Sequence, residues 1–125
     1  MDTAAWIVQA LLALAFLMAG VMKATQPREK LAERMTWVED FSPRIVKGIG
    51  TLEVLGAVGV ILPALTGILP WLTPLAAAGL ILTMIGAMLT HIRRGELSRI
   101  GANVVLLMMA TFVIYARFVA VPIMV

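Results

Sequence analysis

Four stretches of this chain contain almost nothing that water would hold in place. Residues 4–22, 44–62, 72–90 and 100–121 are built from Ala, Leu, Val, Ile, Met and Gly with few polar interruptions. Roughly 20 apolar residues is the length that crosses a bilayer as a helix. In lipid, every backbone N–H and C=O must be satisfied internally, so spans of this kind are helical. The fold class that follows is all-α: a polytopic membrane protein built as one four-transmembrane-helix bundle over residues 1–125. Composition agrees, with 62% of residues hydrophobic and 14% charged, where a soluble domain has about 25% charged.

Punctuation residues mark the ends of the runs. Asp2 and Thr3 are N-cap residues for the first. Ser42-Pro43 is a cap followed by proline at the first helical position, and Thr73-Pro74 repeats that logic before the third. Pro63, Gly67 and Pro70 loosen the end of the second run, and Pro122 closes the fourth. The first run is preceded by an acidic residue and no basic one, and it is longer than a usual signal-peptide core, so it is expected to be a retained helix.

The charges then set the topology. Lys23, Arg28, Lys30, Arg34, Arg44 and Lys47 gather between the first two runs, and Arg93, Arg94 and Arg99 between the last two. Of the ten basic residues only Arg117 falls on the other side. The positive-inside rule makes both basic loops cytoplasmic and both termini extracytoplasmic. The net charge of +3 is accounted for by loop cations beside anionic lipid heads, so the bilayer, and not nucleic acid, is the expected partner. Within the long first loop, residues 27–38 place Leu31, Met35 and Val38 at i, i+4 and i+7. That spacing predicts a short amphipathic interfacial helix with Trp37 as anchor; a plain connector and a lid over a cytoplasmic cavity are the other readings.

Cysteine is absent and histidine occurs once. Disulfides, thiolate metal sites, iron–sulfur clusters and paired-histidine motifs are therefore excluded within this chain, and no metal or intrinsic cofactor is expected. The nine methionines sit among Leu and Ala and read as packing.

Glu53 is the residue that most needs a reason. Eight residues past Ile45, at about 1.5 Å each, it lies roughly 12 Å inside the membrane. A carboxylate there should face the bundle and pair, coordinate or stay protonated. Lys23, at the cytoplasmic end of the first run, is the expected partner. A structural lock and a functional site are equally open readings of the pair. Ala76, Gly79, Thr83, Gly86 and Thr90 form a small-residue stripe, which reads first as a helix-packing face. His91, at the end of the third run, is an interfacial residue or a proton relay. Asn103, at the matching end of the fourth, is placed to hydrogen-bond across helices or to a ligand carbonyl. Lys23, Glu53, His91 and Asn103 converge on the cytoplasmic half, with no catalytic residue assignable among them.

The segments AFLMAGVMKATQP, with Gly20 and Lys23, and IGTLEVLGAVGVILP, around Glu53 and Gly56, resemble the DoxX and DoxX-like family of small four-helix bacterial membrane proteins. The resemblance implies a multi-pass protein of the bacterial inner membrane. It also implies association with oxidoreductase systems, since some members are quinone-reducing thiosulfate dehydrogenase subunits or membrane partners of soluble redox enzymes. Lys23 and Glu53 match the family's polar motif positions and His91 matches more weakly; the absence of cysteine removes a thiol relay. The expected function is an accessory subunit of a membrane redox system, with a quinone or lipid-like ligand in the cytoplasmic half and a soluble or membrane redox protein as partner. Homo-oligomerisation, a scaffold or assembly factor with no small-molecule site, and a small transporter are the alternatives.

The topology can be measured directly, because the cysteine-free background reports only introduced thiols. Cysteines placed one at a time at Glu33 and Leu69 are expected to label with an impermeant reagent in intact cells at Leu69 alone. Labelling at Glu33 and not at Leu69 would invert the topology.

Overall fold

The computed structural model describes residues 2–33, 35–69 and 71–120. Arg34, Pro70, Val121 and Pro122, each invoked above, lie outside the described residues. Four long helices dominate: α1 (Asp2–Thr25), α3 (Pro43–Thr66), α4 (Leu72–Arg93) and α5 (Ile100–Tyr115), the last continuing as a wider π turn over Ala116–Ala120. A single turn, α2 (Arg28–Leu31), and a 3-10 helix (Thr36–Asp40) lie between α1 and α3. The four spans expected from the sequence are all present, each long and apolar enough to cross a membrane.

The spans form a ring in which α1 and α4 each pack against both α3 and α5. Each turns one stripe inward. On α1 the buried residues are Ala5, Gln9, Leu12, Ala13, Phe16, Gly20 and Lys23, the spacing of one helical face. The outward face is apolar too: Leu52 is 65% and Leu82 71% exposed. This is the pattern of a bundle in lipid, where the polar side chains go inside. Leu12, Phe16, Val60, Leu80, Met84 and Val113 are central to the core. Threonines that face outward return their hydroxyls to their own helices, as Thr51 does to the Lys47 carbonyl (2.9 Å) and Thr111 to that of Leu107 (2.8 Å).

The helix boundaries follow local chemistry, with three departures from expectation. Ser42 caps α3 as expected, its Oγ accepting from the Ile45 N–H at 3.3 Å with Pro43 at the first helical position. First, α3 runs through Pro63 to Thr66, and Gly67 ends it in the left-handed region at φ 73°, a conformation glycine adopts without a Cβ clash. Second, α4 begins at Leu72, with no side-chain cap. Thr73 and Pro74 sit inside its first turn, where a missing N–H costs nothing. Third, residues 27–38 do not make one continuous helix. Met35, at φ −119° and ψ 77°, interrupts it, so that Leu31 and Val38 are both buried against Val46.

Helices α1 and α3 cross backbone against backbone. A Cβ added to Gly20 would lie 2.6 Å from the Gly50 carbonyl oxygen, and one added to Gly50 would meet the Gly20 oxygen, the Ala24 nitrogen and the Lys23 Cβ at 2.6–2.7 Å. Only glycine permits this backbone-on-backbone crossing. Gly50→Ala is therefore expected to lose about 1–3 kcal/mol by overpacking, read as a lower melting temperature in detergent. Gly86→Ala, whose Cβ would meet nothing within 4 Å, should melt at or above the wild-type temperature. Equal melting of the two variants would refute the close crossing.

Candidate functional site

The crossing at Gly20 and Gly50 brings together the residues one turn further along each helix. Lys23 follows Gly20 by three positions and Glu53 follows Gly50 by three, and their side chains meet with Lys23 Nζ donating to Glu53 Oε1 at 2.6 Å. The lysine side chain is 10% exposed and the glutamate 1%. A closely approached, charge-assisted bond of this kind is what makes two opposite charges tolerable at this depth. Trp37, from the 3-10 helix, lays its ring over the ammonium at 5.3 Å from the centroid, inside the range of a cation–π contact. Phe41 packs edge-on to Trp37 at 5.7 Å. The expected Lys23–Glu53 pairing is thus present, and Trp37 packs over it.

Beside this pair lies a groove of about 640 Å³ between α3 and α4. The two helices touch at Gly56, where a Cβ would lie 2.6 Å from Leu80, and at Gly59, where it would lie 2.8 Å from Ala76. Toward the basic loops they leave the groove, with Ile49 and Leu52 on one wall and Gly79, Thr83, Gly86 and Thr90 on the other. The small-residue stripe of α4 therefore divides. Ala76 packs as expected, whereas added Cβ atoms at Gly79 and Gly86 meet nothing within 4 Å. At these two positions the missing side chains leave open space on the groove wall.

Polar atoms on the groove wall are few. Thr83 and Thr90 return their hydroxyls to the Gly79 and Gly86 carbonyls at 3.0 and 2.9 Å. Lys23, His91 and the indole N–H of Trp37 are the remaining polar groups on the lining. An ammonium carries three donors, and one goes to Glu53. His91 is 7% exposed and its Nδ1 lies 3.1 Å from Glu96 Oε1, leaving Nε2 as the ring's other hydrogen-bonding atom. Arg94 ties this rim to the first loop, with Nη1 2.8 Å from Asp40 and Nε 3.4 Å from Glu96. Of the four residues singled out from the sequence, Lys23 and Glu53 bond each other and His91 joins Lys23 on the groove lining. Asn103 is not part of that lining; its amide nitrogen is buried on α5 without a hydrogen-bond partner among the described residues.

A second polar centre occupies the opposite end of the bundle. Arg117, 1% exposed, donates from Nε to Gln9 Oε1 and from Nη1 to Asp2 Oδ1, both at 2.6 Å. Its guanidinium also stacks over Trp6 at 5.1 Å. Gln9 in turn donates to the Val60 carbonyl of α3 at 2.8 Å. The charge pattern of the sequence set Arg117 apart as the lone basic residue on its side and gave Gln9 no role. That both are costly in hydrocarbon and need partners was the signal that would have joined them.

A family model, the DoxX-like family, matches residues 7–113. The chain belongs to the DoxX-like family. The matched segment contains Lys23, Glu53, His91 and Asn103, while Asp2 and Arg117 fall outside it. No curated protein and no solved structure matches the chain. As a DoxX-like membrane protein, it has a buried ion pair bordering an apolar groove as its most distinctive chemistry.

Removing one member of that pair leaves the other buried and unpaired, a loss of about 3–5 kcal/mol. Glu53→Gln and Lys23→Met are each expected to lower detergent stability by that order. The double variant should lose clearly less than the sum of the two. A strictly additive double variant would show that the pair does not act as a unit.

Proposed function

We propose that this DoxX-like protein is an accessory subunit of a membrane redox system that holds a quinone in the groove between α3 and α4. What supports the reading is the coincidence of an apolar groove with two buried polar side chains, Lys23 and His91, on its lining. A site built this way suits a molecule with a hydrophobic body and hydrogen-bond acceptors at one end. Lys23 retains two donors for a carbonyl oxygen, His91 retains Nε2, and Trp37 offers a flat face beside them. Once the Lys23 ammonium has given a proton to the reduced ligand oxygen, Glu53, hydrogen-bonded to the resulting amine, is placed to take up a proton from the cytoplasmic side and return it to that nitrogen. Reduction of a quinone consumes protons and electrons together. The chain offers no cysteine and no cluster of three or more His, Asp or Glu among the described residues, so the electrons are assigned to a partner redox protein.

A scaffold reading has its own support in the Gly20–Gly50 crossing, which the Lys23–Glu53 pair bridges as a lock. In that reading the groove is filled by lipid tails and the partner is a protein alone. The reading of both termini as extracytoplasmic in an inner membrane accompanies either proposal.

Protein purified from bacterial membranes in mild detergent and extracted for mass spectrometry distinguishes them. An isoprenoid quinone is expected to co-purify with the wild type and to fall at least about tenfold in Gly86→Leu, which fills the groove, and in Lys23→Met with His91→Phe. Asn103→Ala should keep it. Quinone absent from the wild type, or equal in all variants, would sink the quinone site and leave the scaffold.

A further inference from the structure

The groove borders a lysine, yet the charge it offers is already cancelled. Lys23 Nζ lies 2.6 Å from Glu53 Oε1, with the glutamate behind it at 1% exposure, and Trp37 covers the ammonium from another side. Thr83 and Thr90 bond their own helix, and His91 faces Glu96. An incoming head group therefore meets hydrogen-bond donors without net positive charge. An anion would be drawn toward Lys23 and repelled by the carboxylate behind it, after losing its own hydration in a low-dielectric groove.

We infer that Glu53 is the specificity-determining residue of this groove: by neutralising Lys23 it restricts the site to amphiphiles with uncharged, hydrogen-bonding heads and excludes sulfonates, phosphates and carboxylates of the same tail. The inference rests on the ligand reading of the groove, and it assigns Glu53 a role that neither a helix lock nor a proton carrier requires.

Hexadecanol and hexadecanesulfonate share a tail and differ in head charge. Binding of each, radiolabelled, to protein in uncharged phosphatidylcholine nanodiscs gives the test. The wild type should retain the alcohol at least about tenfold more than the sulfonate, since stripping water from a full charge in an apolar groove costs more than the pull of a neutralised ammonium returns, and about 1.4 kcal/mol is already tenfold. In Glu53→Gln the ratio should close or invert. Lys23→Arg combined with Glu53→Gln supplies a cation that cannot shed its proton and should favour the sulfonate even if the single variant folds poorly. Gly86→Leu should abolish retention of both probes. Equal retention of alcohol and sulfonate by the wild type, both blocked by Gly86→Leu, would overturn the charge selection while leaving the ligand site in place. An unchanged ratio in both Glu53 variants would overturn it as well. Retention of neither probe above the Gly86→Leu level would overturn the site and the selection together.

Discussion

One ion pair at one helix crossing sets the terms for the rest of the bundle. Lys23 and Glu53 can meet at 2.6 Å because Gly20 and Gly50, one turn earlier on each helix, let the backbones touch. The dependence runs both ways: without the glycines the charges would be held apart, and without the pair the close approach would leave a charge in hydrocarbon. Fixing α1 against α3 at this point also fixes where Trp37 lands, since its ring is drawn over the lysine. The groove owes its polar end to the same event.

The bundle separates two jobs along its length. At one end α3 and α4 press together through Gly56 and Gly59, and Gln9, Asp2 and Arg117 tie α1 to the final turn. At the other end the same helices leave a groove, and its rim is held by contacts reaching across loops, from Asp40 to Arg94 and from Glu96 to His91.

The spans were legible in the sequence because lipid imposes a single rule on backbone groups, and length and composition suffice to apply it. Glu53 and Lys23 were legible for a related reason: a carboxylate at that depth demands a partner, and a lysine one span away was at hand. The small-residue stripe of α4 was ambiguous because absent side chains admit a helix or a ligand equally, and only the position of α3 decides between Ala76 and Gly79. The break at Met35 was hidden because Leu31 and Val38 satisfy helical spacing whether or not the chain between them is helical. Asn103 could be placed in the cytoplasmic half by its position at a helix end, but which wall of the bundle it joins depends on the rotation of α5, which nearly uniform hydrophobicity leaves unspecified.

Arg117 bonds Asp2 across 115 positions and Gln9 across 108, and this has a bearing on how the protein is made. Ribosomes deliver α1 to the membrane long before the π turn exists, so the Gln9 side chain can give its N–H to Val60 once α3 is in place, but its carbonyl oxygen waits for the last helix. Lys23 waits a shorter time, for α3. The order of synthesis thus makes the ion pair available before the guanidinium clasp, and a chain halted before residue 117 would leave the Gln9 carbonyl oxygen in the bilayer without its donor.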